Sequence, residues 1–168
     1  MKAYGQPPEA GQANAERQLA PETTAARQAA MAVLARASIE ELRDGLVRAE
    51  CSLACEDLRA PEVGLIMARG RISGTGRPFN IGEVTVSRAA VRLACGTTGF
   101  AYLLGRDPEK ARLAAVADAH WQKHEKQAAV ETHLLAPIRA RIAAEKQKQR
   151  EQVAATQVNF FTMVRGDD

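Results

Sequence analysis

The hydrophobic period changes twice along this chain, and those changes constrain the fold more than any single motif. Up to Arg48 the apolar residues recur every three or four positions. Between Cys51 and Gly105 they run together or alternate. After Asp107 the three-to-four spacing returns. Helical segments therefore flank one uninterrupted block of strands. That order predicts an α+β fold with N-terminal helices, an antiparallel sheet, C-terminal helices and an extended C-terminal arm.

The first helical stretch, "TTAARQAAMAVLARA", places Met31, Leu34 and Ala35 on one face. Ser38 then opens "SIEELRDGLVRA". With Glu41 three residues on, it forms a capping box: the hydroxyl accepts from the Glu41 amide and the carboxylate reaches back to the Ser38 amide. Ile39, Leu42 and Leu46 supply the apolar face of this second helix. "CSLACEDLR" and "VGLIMARGRI" read as two strands separated by Ala60–Pro61, and "GTGRP" reads as a turn. In "FNIGEVTVSRAAVRLACG" the alternation at Val84 and Val86 changes parity by Val91 and Leu93, which predicts a bend near Ser87–Ala90. "FAYLLG" completes a sheet of about four strands.

"GRDPEK" marks a sharp helix start, with Asp107 as N-cap and Pro108 in the first turn. Leu113, Val116, Ala117 and Trp121 follow on one face. A further helix carries Val130, Leu134, Ile138 and Ile142, and Pro137 predicts a kink or a fresh start within it. Beyond Ile142 no large apolar residue appears until Val153. A helix polar all round bridges solvent or lacks independent stability. Residues 1–22, rich in Gly, Pro, Gln, Ala and Glu, are expected to form a flexible extension. Residues 23–152 form a single domain on this reading, and 153–168 a projecting C-terminal arm.

Composition narrows the function. Aromatics make up 4% of the chain, too few for a base-stacking platform, and the helix "RARIAAEKQKQRE" mixes charge signs, so nucleic acid is not expected as a partner. The hydrophobic fraction of 46% includes 33 alanines, which favour helix and close helix packing. Cys51, Cys55 and Cys95 form no CxxC pair, so buried free thiols in a reducing cytoplasm fit better than a disulfide framework, a zinc site or an iron–sulfur site. "MKAYGQPPEAGQ" has no apolar leader core, and charge or glycine interrupts every longer apolar run, so no membrane span is expected.

Candidate chemistry is sparse. "GRISGTGRPF" sets Arg69, Arg71 and Arg77 around a glycine-rich turn, where backbone amides and guanidinium groups suit a phosphate or other anion. It lacks the GxxxxGK[ST] pattern and is followed by a strand, so a plain hairpin turn is the first reading. A stand-alone phosphate- or nucleotide-binding module built on that turn is the alternative function. His120 and His124 stand four apart on one helix face, but no glutamate adjoins them as in HExxH and His133 has no required position; surface histidines are expected, not a metal site. Ser73, Thr75 and Ser87 lack a nucleophile context, and Asp107 is accounted for as a cap. No catalytic residue is assigned. At the C-terminus, "VNFFTMVRGDD" sets Phe160, Phe161, Met163 and Val164 beyond a polar run, with Arg165 and Asp167 beside them. An apolar tail separated from its own core suits a partner surface better than self-docking.

Several stretches together resemble one family. They are "SGTGRPFNIGEVTVSRAAVRL", "GTTGFAYLLGRDPEKARLAAVADA" and the closing "VNFFTMVRGDD". From about Thr23 to the terminus the chain is similar to PhnG, a small subunit of the bacterial carbon–phosphorus lyase system. The resemblance implies a role in phosphonate catabolism and a core complex with PhnH, PhnI and PhnJ, two copies of each, with PhnL and PhnK associated. With PhnI, PhnH and PhnL, such a subunit supports transfer of the ribose-triphosphate group of ATP to an alkylphosphonate, with adenine displaced. MgATP is then a substrate of the complex, and no cofactor is expected on this chain alone. The nucleosidase-type activity is implied for PhnI and the radical, iron–sulfur step for PhnJ, which leaves this chain a non-radical assembly partner.

Overall fold

The computed structural model describes residues 21–72 and 75–155. The elements run α1 (Pro21–Leu34), α2 (Ile39–Arg48), β1 (Glu56–Arg71), β2 (Pro78–Arg92), β3 (Thr98–Leu104), α3 (Pro108–Trp121), α4 (His124–Val130), a π-helical turn (Glu131–Leu135) and α5 (Ala136–Ala155). The α+β order expected from the period changes is the observed one. No helix among the described residues is long and apolar enough to cross a membrane.

Among the described residues the sheet has three strands in the order β1-β2-β3, all antiparallel, where about four were expected. The two strands expected on either side of Ala60–Pro61 are one. Pro61 cannot donate to a ladder, but β1 is an edge strand, and register shifts between Asp57 and Arg59 and between Arg59 and Glu62 absorb the misfit. The bend expected near Ser87–Ala90 is likewise displaced. β2 pairs with β3 residue for residue from Val86 to Arg92, and the irregularity lies opposite, in β1. The parity change has another cause: both faces of β2 are apolar. Val91, opposite Gly99, faces the helices, whereas Val86, opposite Leu104, faces away.

β3 shows the layering most plainly. Gly99, Ala101 and Leu103 are buried, while Phe100, Tyr102 and Leu104 alternate with them and are exposed. On the buried side lies α3, whose Ala111, Ala114, Ala115, Val116, Ala117 and Ala119 are all buried. The alanines matter because they let the helix backbone come close to the strand. A Cβ placed on Gly99 would stand 2.7 Å from the Ala119 amide nitrogen. Asp107 caps α3 by accepting from the Lys110 amide at 2.9 Å, with Pro108 in the first turn as expected. The Ser38–Glu41 capping box of α2 is present in both halves. Glu41 also receives Arg141 of α5 at 2.6 Å, which ties the second helix to the last.

Pro137 lies just inside α5, directly after the π-helical turn. A proline in a helix clashes with the carbonyl four residues back and cannot donate to it. Here the ladder widens before it, and the Ala136 amide donates to the Glu131 carbonyl five residues back. That turn also carries Leu134 and Leu135 into the core, where Leu134 crosses α2 at Gly45. After Ile142, α5 runs on to Ala155 with exposed side chains through Ala154. The adhesive C-terminal stretch, including Phe160, Phe161, Met163, Val164 and Arg165, lies outside the described residues, as does most of the expected N-terminal extension.

Candidate functional site

β3 ends at Leu104, opposite Val86, but β1 and β2 continue beyond it as a two-stranded ribbon. From Gly64 to Arg71 the ribbon advances about 23 Å at the ordinary rise per residue. The arginines singled out in the sequence stand at its tip. Arg69 and Arg71 are two apart on β1 and share a face with Leu65 and Met67; Arg77 precedes Pro78, the residue paired with Arg71. Arg69, Gly70, Arg71 and Pro78 line an open hollow there. The Arg71 guanidinium donates to the Gly76 carbonyl at 3.1 Å, so it also holds the turn together. The glycine-rich segment is a hairpin turn between two strands, the first reading of the sequence, and the Gly76 amide closes it by donating to the Ile72 carbonyl at 3.1 Å.

Strand β1 sends large apolar side chains to both faces of the ribbon, with Thr85 and Glu83 of β2 opposite Leu65 and Met67. Val63, Leu65 and Met67 continue the helix-side face of the sheet along β1; Ile66 pairs with Val84 on the other. Leu65 is 59% exposed, Met67 51%, Ile81 65% and Ile72 69%, with Phe79 and Ile66 also exposed. In sequence "VGLIMARGRI" reads as a strand, and none of these apolar side chains is among the candidate site residues. The signal was the lack of alternation, which marks a strand covered on both faces.

The histidines do not converge. Helix α3 ends at Trp121 and α4 starts at His124, so His120 and His124 do not share one helix face as expected. His120 is also not on the surface. It is 6% exposed, with Nε2 at 2.9 Å from the Ser52 carbonyl and Nδ1 without a partner. Burial pushes its pKa down. His124 and His133 are exposed. Among the described residues no three His, Cys, Asp or Glu side chains are grouped to hold a metal ion.

The thiols depart from expectation in one respect. Cys51 is buried and Cys55 half-buried, and burial raises both. Cys95 is exposed. Its Sγ lies 3.3 Å from the Thr97 hydroxyl, and that hydrogen bond lowers the thiol pKa.

Two polar clusters went unnoticed in the sequence, and both hold the fold together. Asp118 is 1% exposed. It accepts from Arg27 Nε at 2.9 Å and Nη2 at 2.7 Å, and from the Phe100 amide at 3.0 Å. The bidentate bond to Asp118 raises the Arg27 pKa and clips α1 to α3 and β3. Ser87, fully buried, donates to the Gly105 carbonyl at 2.9 Å and accepts from the Asp107 amide at 2.6 Å. Its hydroxyl therefore fixes the loop that starts α3, a role separate from any nucleophile.

Two comparisons bear on this arrangement. The model of the family described as "Phosphonate metabolism protein PhnG" matches residues 25–166. The chain is 47% identical over 144 residues to the "Alpha-D-ribose 1-methylphosphonate 5-triphosphate synthase subunit PhnG" of Rhizobium meliloti (strain 1021), covering 86% of this chain and 92% of that protein.

Proposed function

Because the chain belongs to the PhnG family, we propose that it is a non-radical subunit of an alpha-D-ribose 1-methylphosphonate 5-triphosphate synthase and works in phosphonate catabolism in the cytoplasm. The observation that carries this reading is the 47% identity to a subunit of that synthase over nearly the whole of both chains. In the proposed reaction the ribose-triphosphate group of MgATP passes to an alkylphosphonate and adenine leaves. The chain's part is to assemble with and stabilise PhnI, within a core that also holds PhnH and PhnJ, two copies of each, with PhnL and PhnK associated. Large exposed apolar side chains on the ribbon and on the outer face of β3 support an assembly role, since obligate interfaces resemble a core cut in two.

Co-expression with the cognate subunits tests the reading. The affinity-tagged chain is expected to retrieve PhnI, PhnH and PhnJ in stable proportion, and PhnI alone is expected to be less soluble than PhnI with this chain. Deleting residues 158–168, which removes Phe160, Phe161, Met163, Val164 and Arg165, is expected to weaken that recovery. A tagged chain that retrieves none of them, yet as an isolated monomer binds MgATP in a calorimeter, would instead make it a stand-alone nucleotide-binding module.

A further inference from the structure

We propose that the ribbon made by residues 63–72 and 78–85 is an insertion arm, seated in a cleft of another synthase subunit with apolar walls on both sides and carboxylates at its inner end. This rests on the reading of the chain as a synthase subunit.

The two-faced apolar character sets the shape of the partner. Leu65 and Met67 lie on one face of the ribbon and Ile66 on the other. Ile81 reaches across Gly70, its Cγ1 3.1 Å from where a Cβ would stand, and is still 65% exposed. A flat partner surface covers one face and leaves the other in water. A cleft covers both. Nor, among the described residues, does a third strand or a helix cover the ribbon, and a two-stranded hairpin alone is marginal in water. Its other weakness is the outer edge of β1. Pro61 and the register shifts blunt only the base of that edge; from Glu62 to Ala68 the pairing is regular and the outer backbone groups stay open.

Charge sets the chemistry at the end of the cleft. Residues 63–85 hold three arginines, Arg69, Arg71 and Arg77, and one carboxylate, Glu83. Neither Arg69 nor Arg77 has a carboxylate partner among the described residues. The carboxylate at the base, Glu62, is already bonded to Arg88 at 2.8 Å and Arg59 at 3.2 Å. Two copies of this chain would therefore bring guanidinium groups against each other tip to tip, or against the spent Glu62 tip to base, with Glu83 as the one carboxylate on each ribbon to set against its three arginines. A different chain with acidic residues at the bottom of an apolar cleft matches both features.

The test uses the co-expressed complex with the tag on this chain. Leu65→Asn with Ile81→Asn removes apolar contact from exposed positions. Arg69→Glu with Arg77→Glu reverses charge and leaves Arg71 to hold the turn. Each pair is expected to lower recovery of the other subunits at least tenfold, while Arg69→Lys with Arg77→Lys keeps most of it. In the unaltered complex, hydrogen exchange at 63–72 and 78–85 is expected to slow at least tenfold on assembly, a readout independent of any variant's folding. Unchanged exchange there, or full recovery with both variant pairs, overturns the proposal. Full recovery with the charge-reversed pair but a raised KM for ATP would place the guanidinium groups on substrate phosphate and overturn the acidic cleft. An isolated wild-type dimer that Leu65→Asn with Ile81→Asn splits into monomers would make the occupant a second copy. If the unaltered chain retrieves no subunit at all, the synthase reading falls first and takes the arm with it.

Discussion

Replacing Gly99 by alanine probes the tightest site for an added Cβ among the described glycines. The added Cβ would stand 2.7 Å from Ala119 N and 2.8 Å from Ala119 Cβ, and nearer still to the Ala115 carbonyl oxygen. Ordinary contact begins at 3.4 Å, so α3 must back away by about 0.7 Å or more. The obstacles are mostly backbone, which cannot swing aside as a long side chain would. A gap of about 0.5–1 Å forfeits roughly a quarter to a half of each dispersion contact across it, and α3 packs on both β2 and β3. Overpacking of this kind costs about 1–3 kcal/mol. The geometry puts Gly99→Ala at the upper end, near 3 kcal/mol, partly offset by about 0.4–1 kcal/mol from a less flexible unfolded chain. The net loss of about 2–2.5 kcal/mol corresponds to a Tm lower by roughly 4–10 °C. Gly64→Ala is the control. Its Cβ would meet only the Arg88 guanidinium, at 3.7 Å, so this change is expected to be neutral or slightly stabilising. Urea unfolding followed through Trp121, the single tryptophan and 4% exposed, reads both variants. A Gly99→Ala midpoint equal to that of Gly64→Ala would refute the close-approach argument.

Other consequences follow from the buried polar groups. Arg27→Met leaves the Asp118 carboxylate buried without its guanidinium; the loss is expected to be about 3 kcal/mol, and Asp118→Asn in the same background should cost much less than it does alone, as a denaturation double-mutant cycle would show. His120 is buried with a lowered pKa, so the unfolded chain binds its proton more tightly. Stability is expected to fall as pH drops below the ordinary histidine range, and His120→Gln should flatten that limb of a Tm-against-pH curve. The exposed Cys95 thiol, lowered by Thr97, should be alkylated by iodoacetamide at neutral pH well before Cys51; Thr97→Val should slow the reaction, as intact-mass time courses would record.

What the sequence made legible was local. The capping box at Ser38, the Asp107 cap and the helix–sheet–helix order depend on residues within a few positions of each other, and each is present in the structure. The count of strands was not local. Pro61 reads as a break unless the strand is known to lie at an edge, and edge position depends on which strands pair. The Arg27–Asp118 clip spans 91 positions, and nothing in either neighbourhood announces it. His120 looked like a surface residue because helix periodicity alone cannot say that the Ser52 carbonyl packs over it. The π-helical turn was half legible: Pro137 announced a disturbance, but the widening of the ladder goes with a contact between Leu134 and the distant Gly45 that no local pattern shows.

The ribbon marks a different kind of limit. "VGLIM" carries the mark of a strand covered on both faces, since five apolar or small residues run together without alternation. Among the described residues it is covered on neither: Val63, Leu65, Ile66 and Met67 are all exposed. Such a pattern is costly to leave in water and invites aggregation at an open strand edge. A monomer would be expected to blunt it with charge at alternate positions, and β1 does so only near its base, where Glu62 meets Arg88. Beyond that point the arginines are held back to the tip. The apolar stretch and the charged tip therefore divide one hairpin into a shaft suited to burial and an end suited to an anion, an arrangement that makes physical sense when another chain closes around it.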